Sequence, residues 1–302
     1  MSKKRKKLIV DISDAYRFKL KKIFDSEIKN AERLVKKDLF PILTGVVQRE
    51  DSISSFSDLF KRVLRGIYIN HFGALLAGGI PDTNLYQRKI IKKVDKVFIG
   101  AGNDHKREFD KSLNSIANVE PLKSDPFVKE YLELFIKSNT KKITTISESY
   151  FSEVEDIVMN GLQSGTSNKS IVKELKEKII DRGEFHKSRA KLVATDQIQK
   201  LNGQLDKVRQ KSNGGSRYIW RTRGNSAVRD DHAKLKGAIF EWGKPPITVT
   251  TGKRSGERNE PGQDINCKCQ AEMVIEDLLG ERTAKIIKAE EKTQQLKSLG
   301  IL

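Results

Sequence analysis

Two cysteines in 302 residues, Cys267 and Cys269, leave no disulfide framework, because cysteines with a single residue between them cannot cross-link distant parts of a chain. That scarcity fits folding in a reducing cytoplasm. Long apolar runs are missing as well. The basic start, Met1-Ser2-Lys3-Lys4-Arg5-Lys6-Lys7, is followed only by Leu8-Ile9-Val10, too short for the apolar stretch of a secretory signal. The most apolar window, residues 59–77, holds Lys61, Arg62 and Arg65, and so falls short of the charge-free stretch of about eighteen residues that a membrane span needs. A soluble chain with no membrane partner is expected. There is no internal repeat, and no low-complexity tract beyond the basic start.

What is abundant is charge. Lys and Arg number 58 against 40 Asp and Glu, a net +18 that favours anionic partners such as nucleic acid and fits acidic protein surfaces equally well. Apolar residues make up 37% of the chain, enough for a core, while 32% charged residues require amphipathic helices. The length suggests two domains at a prior of roughly 150 residues each.

Apolar residues recur at helical spacing at Leu20, Phe24, Ile28, Ala31, Val35 and Leu39, with Pro41 as the expected stop. A second stripe runs from Leu59 through Phe60, Val63, Leu64, Ile67, His71 and Phe72 to Leu76, capped by Ser57 or Asp58 and stopped by Gly78-Gly79. Residues 85–100 and 104–118 read as two shorter helices separated by Gly100-Ala101-Gly102-Asn103, and Pro121 and Pro126 mark a loop. Helices are then expected over 127–136 and around Ile146 to Leu162, closed by Gly161 and Gly165. Next come a Ser167-capped helix carrying Ile171, Leu175 and Ile179, and a long basic segment from Ala190 to Val208. Asn213-Gly214-Gly215 breaks it.

Beyond that break the period becomes two. Residues 217–222, 238–242 and 267–275 read as strands, with a further short one at Ile247-Thr248-Val249 inside the long loop 243–264. Residues 281–302 read as a charged helix suited to docking on a partner. The expected fold is mainly α: a helical N-terminal region over 1–125, then residues 126–280 as helices leading into a small α+β unit with a short sheet from about 213, then a helical tail.

In order, Tyr218-Ile219-Trp220-Arg221-Thr222, then Val228 to Gly237 with Arg229, His232 and Leu235, then Asn266-Cys267-Lys268-Cys269 resemble the phage head morphogenesis family, minor capsid proteins similar to the Mu F protein. In that family a Trp-containing strand leads into Arg-x-x-His-x-x-Leu-x-Gly, a loop often with paired prolines follows (here Pro245-Pro246), and a Cys-x-Cys strand closes the unit. Arg189-Ala190, Ala194-Thr195-Asp196 and Asn202 are similar to the family's preceding helix. The resemblance covers roughly residues 140–275. Two positions depart from it: Asn225 stands where the family often has Asp, and Asp264-Ile265-Asn266 where it often has His-Pro, which weakens a metal role. The resemblance implies a non-enzymatic minor capsid protein of the virion's inner head, assembled in the host cytoplasm. Its implied partners are the portal protein and capsid or scaffold proteins.

On the residues themselves, strand alternation puts Cys267, Cys269, Ala271 and Met273 on one face, which favours buried packing. A structural zinc on His232, Cys267 and Cys269 is the alternative, needing a fourth donor from Asp230, Asp231 or water, and redox or nucleophilic chemistry is a third. His232 beside Asp230 and Asp231 also sketches a metal-dependent nuclease. Against that stand a capping role for Asp230, local pairing of Arg229 and a turn hydrogen bond for His232. His71 reads as a core histidine, and His105 and His186 as residues without a role. Residues 182–229 hold twelve Lys or Arg. Arg189, Lys191, Lys200, Lys207, Arg209, Lys211, Arg217, Arg221 and Arg223 are the candidate phosphate contacts to double-stranded DNA, without sequence preference because no base-reading motif accompanies them. A solvated basic face is the plain alternative. A DNA-binding protein outside the virion remains the other rival.

Overall fold

A computed structural model describes residues 7–41, 44–45, 53–118, 120–122, 127–223, 228–280 and 284–300. The basic start up to Lys6, Pro126, Asn225 and the side chains of Ser57 and Ile179 lie outside the described residues. Five helices carry most of the chain: α1 (Ser13–Leu34), α2 (Ile53–Phe72), α3 (Thr83–Ala117), α4 (Val128–Gln163) and α5 (Asn168–Ser212). A three-stranded antiparallel sheet follows, with β1 (Arg217–Arg221) between β2 (Ile239–Glu241) and β3 (Gln270–Met273). A short helix, α6 (Asp230–Leu235), connects β1 to β2, and α7 (Ala284–Ser298) comes last. The mainly α chain with a small α+β part is as expected.

Several predicted breaks are absent. The pair 85–100 and 104–118 is one helix, α3, because Gly100 and Gly102 serve close approach: a Cβ on Gly100 would sit 3.1 Å from the Tyr16 hydroxyl, and one on Gly102 3.0 Å from Leu132 Cδ1. The helices predicted over 127–136 and 146–162 are likewise one, α4. The apolar stripe is interrupted there by buried Asn139, Thr140, Thr144 and Ser147, with Thr144 Oγ1 donating to Thr140 O at 3.0 Å. The Ser167-capped helix and the basic segment after it are also continuous, and the Ser167 hydroxyl accepts from Ser170 N at 3.2 Å. Pro41 does not end the first helix: a π-helical turn at Val35–Leu39 widens the backbone, and helical residues continue through Pro41. Helix α2 stops at Gly73, with φ +98°, rather than at Gly78-Gly79. The expected strand at 247–249 is only an isolated bridge between Ile247 and Arg258.

The chain divides into two compact units that interleave along the sequence and do not follow the boundary near residue 125. One comprises Met1–Arg17, Phe98–Phe135 and Ala194–Leu302; the other comprises Phe18–Val97 and Ile136–Val193. Among the described residues the second unit's regular elements are helices, with one isolated bridge between Leu75 and Pro81. Its core gathers Tyr68, His71, Phe72, Tyr86 and Phe151, with the His71 ring 4.8 Å from that of Phe72 and 5.0 Å from that of Phe151. Burial lowers the His71 pKa to about 4, so the neutral ring accepts from Asn30 Nδ2 at 3.1 Å. His186, read from the sequence as a residue without a role, is buried there too, 3.4 Å from Glu153.

The first unit contains the sheet. Met273 N donates to Leu8 O at 3.2 Å, and Asn202 bonds both Val10 O (3.0 Å) and Ile12 N (3.2 Å), so the N-terminal segment is held to β3 and α5. His105, expected to have no role, is fully buried. Arg209 Nη1 donates to its Nδ1 at 2.6 Å, its Nε2 faces Asp206 Oδ1 at 3.0 Å, and Asn202 Nδ2 reaches Asp206 Oδ2 at 3.1 Å. The tail helix α7 docks on its own sheet. Thr293 Oγ1 accepts from Ile239 N at 2.9 Å, and Ile286 and Ala289 are buried with Ile219 and Ile239.

Candidate functional site

Strand β1 buries Tyr218, Ile219 and Trp220, and the backbone of Trp220 pairs on with Ala238 and Gly237, so the turn after α6 closes over the indole. Gly237 takes φ +85° at that turn, a conformation that glycine adopts without steric cost. Helix α6 presents His232 inward, its ring 5.6 Å from that of Trp220. The loop that ends before β3 carries Cys267 and Cys269 to the same place. His232 Nδ1 lies 3.4 Å from Cys267 Sγ and 3.6 Å from Cys269 Sγ, and the three ligand-type atoms are all within 4.8 Å of one another. All three residues are buried, at 2%, 4% and 5% exposure. Burial alternates as predicted from Cys267 to Ala271 and stops doing so at Glu272, which is fully buried, and Cys267 and Cys269 precede β3 rather than belonging to it.

The other ring nitrogen, Nε2, lies 3.3 Å from Asp264 Oδ2, an ion-pair distance without hydrogen-bond alignment. Asp264 is the residue that sequence reasoning missed as part of the cluster. It is buried under two guanidiniums, Arg229 at 3.0 Å and Arg254 at 2.5 Å. Burial raises a carboxyl's pKa, but hydrogen bonds from Arg254 and Ile265 N and the two positive charges more than offset it here and hold Asp264 below the usual carboxylate range. Hydrogen bonding from the Cys269 thiol, then from His232, pulls the Cys267 thiol well down against its burial; Cys267 and burial in turn push Cys269 up. Burial opposes charge on His232, yet Cys267 and Asp264 keep its pKa above the ordinary value.

Helix α5 grips this loop from outside. Asp196 Oδ1 accepts from Asn266 N at 2.8 Å, Gln263 Nε2 donates to Lys200 O at 3.0 Å, and Gly203 lets Pro261 approach so closely that a Cβ would sit 2.5 Å from its carbonyl oxygen. The two acidic residues of the nuclease sketch do not join His232. Asp231 is taken by Thr250, whose N and Oγ1 lie 3.0 and 2.7 Å away, and Asp230 is exposed at the first turn of α6 without capping it. Arg229 pairs with Asp264 across the loop, not locally.

The helix bearing Asp196 and Asn202, the Trp strand, the inward histidine and the Cys-x-Cys turn all lie inside one stretch, residues 152–272, that matches the family described as phage Mu protein F like protein. Over that segment the chain is similar to the Mu F-like family. The chain is also 30% identical over 180 residues to an uncharacterized protein of Haemophilus influenzae. The matched stretch is 59% of this chain and spans 37% of that relative's length. No solved structure matches. Among the described residues no helix is long and apolar enough to cross a membrane.

The nine basic candidates of the Mu F-like segment separate into two groups. Arg209, at 1% exposure, is locked to His105 and Gly102 O, out of reach of a phosphate, which corrects its assignment as a contact. Lys200 pairs with Asp196 (2.9 Å), Lys207 with Glu260 (2.9 Å), Arg217 with Asp277 (2.5 Å) and Glu290 (2.7 Å), Arg221 with Glu272 (2.5 Å), and Arg223 with Asp11. Their charges are largely neutralised inside the fold. Arg189, Lys191 and Lys211 are exposed.

Proposed function

We propose that this chain is a minor capsid protein acting in head morphogenesis of a tailed phage, that it resides in the inner head of the virion, and that it works by binding the portal and shell or scaffold proteins. The observation that carries this reading is the Mu F-like match over residues 152–272, which contains every element that positions the candidate site. The net charge of +18 suits a place beside packaged genome, with Arg189, Lys191 and Lys211 on the surface where phosphates would lie. In this reading no bond is made or broken. The divergence of Asp230, Asp231 and His232 argues against a nuclease built on them, because metal-assisted hydrolysis needs converging donors.

The test is co-purification with a tailed-phage portal protein, at moderate salt and with nuclease added to remove bridging DNA. Stable association is expected. A chain that ignores the portal yet retains DNA would replace this reading with that of a nucleic-acid-binding protein.

A further inference from the structure

We propose that His232, Cys267 and Cys269 bind a zinc ion through His232 Nδ1 and the two thiolate sulfurs, with Asp264 orienting the imidazole from its far side. This inference is independent of the head-assembly reading. It rests first on distance. Zinc–sulfur bonds of about 2.3 Å and zinc–nitrogen bonds of about 2.0–2.1 Å at a tetrahedral angle place sulfur and nitrogen about 3.6 Å apart. The observed separations are 3.4 and 3.6 Å.

The second support is orientation. A ligating histidine offers one ring nitrogen to the metal and directs the other N–H to a carboxylate, which fixes the tautomer. Here Nδ1 faces both sulfurs while Nε2 lies 3.3 Å from Asp264, an ion-pair contact rather than an aligned hydrogen bond, and Asp264 is itself fixed by Arg229 and Arg254. The third support is donor chemistry: two soft thiolates and an imidazole, buried together, select zinc over calcium or magnesium. Three protein ligands leave the fourth tetrahedral position to a solvent molecule. A cleft of about 440 Å³ lined by Asp231, Thr250, Arg254 and Asp264 lies on the Asp264 side of the site. Binding releases the thiol protons to solvent, with no change of oxidation state. The bound ion ties α6 to the turn before β3 and so closes the long, mostly irregular loop between β2 and β3.

The experiment takes the full chain, purified reduced from zinc-supplemented medium and dialysed against metal-free buffer, and measures its metal content by plasma emission. Near-stoichiometric zinc is expected, and cobalt substitution should give thiolate-to-metal absorption in the near ultraviolet. The double variant C267S/C269S should lose the zinc while keeping its far-ultraviolet circular dichroism. D264N should keep the ligands and weaken affinity by about 10–100-fold. A wild-type chain that takes up no zinc on titration against a metallochromic indicator overturns the proposal. So does a cobalt form without sulfur absorption, or a double variant holding as much zinc as wild type. The wild-type and cobalt measurements decide the matter even where the variant does not fold.

Discussion

At the scale of single residues, the basic surplus and the positions that carry it tell different stories. Arg223 reaches back to Asp11, whose other oxygen accepts from Ser13 N at 2.9 Å. Burial raises Asp11, but the Ser13 hydroxyl and amide and the Arg223 guanidinium overcome it and leave its pKa below the ordinary aspartate value of about 3.9. A carboxyl depressed on folding stabilises the native state fully above its unfolded pKa, and that contribution disappears as pH falls through the folded value. D11N should therefore lower stability by on the order of 1 kcal/mol at pH 7, with the gap to wild type closing below about pH 4. Urea unfolding across that range measures it, and a gap independent of pH would assign the effect to packing instead.

The histidines mark what was legible at this scale. His232 and the Cys pair stood out because their spacing is fixed by a short helix and a short turn. Asp264 was visible as a letter only, since its membership comes from a loop folding back over α6. His105 gave no sequence signal at all: its partners Asp206 and Arg209 lie on a different helix, and a buried Arg–His–Asp relay has no periodicity to read.

At the scale of elements, helices were placed well and their ends poorly. Glycine inside a helix costs about 1 kcal/mol against alanine in an open site, so a sequence reader takes it as a break. Gly100, Gly102 and Gly203 are there because another chain segment occupies the space a Cβ would fill. The sign of a glycine-to-alanine change follows. G203A should destabilise by about 1–3 kcal/mol, because the Pro261 carbonyl would have to move and take the cysteine-bearing loop with it. G66A in α2, where nothing lies within 4 Å of the added methyl, should stabilise by up to about 1 kcal/mol. Thermal melts of the two variants check both signs; equal shifts would remove close packing as the reason for Gly203. The sheet was legible as three period-two segments, while its order, with β1 central, depends on long-range pairing that local pattern does not encode.

At the scale of the whole molecule, the expectation of an N-terminal region separable from a C-terminal one gives way to two units that share the chain. Residues 1–17 and 98–135 belong with 194–302. Cutting the chain near residue 125 would strip the sheet-bearing unit of the segment holding Leu8, Val10 and Ile12, and of Gly102 and His105 opposite Arg209. A fragment of residues 126–302 should melt without cooperativity and bind a hydrophobic dye, and co-expression with residues 1–125 should restore a single transition. A cooperative melt of the fragment alone would refute the shared-core description. Only after tertiary contacts are known does such interleaving become visible, because helices α1, α3, α4 and α5 run past the unit boundaries with no change in their own pattern.

The bond from Met273 N to Leu8 O also has a consequence in time. A ribosome makes Leu8 well before Met273, so the segment holding Leu8 waits through the intervening synthesis for the strand it belongs with. Units whose parts are all present fold first. The helical unit is complete once Val193 has emerged, whereas the sheet unit needs the residues beyond it. During that interval the apolar side chains of Leu8, Val10 and Ile12 have no site to enter, which makes that nascent segment a client for holdases.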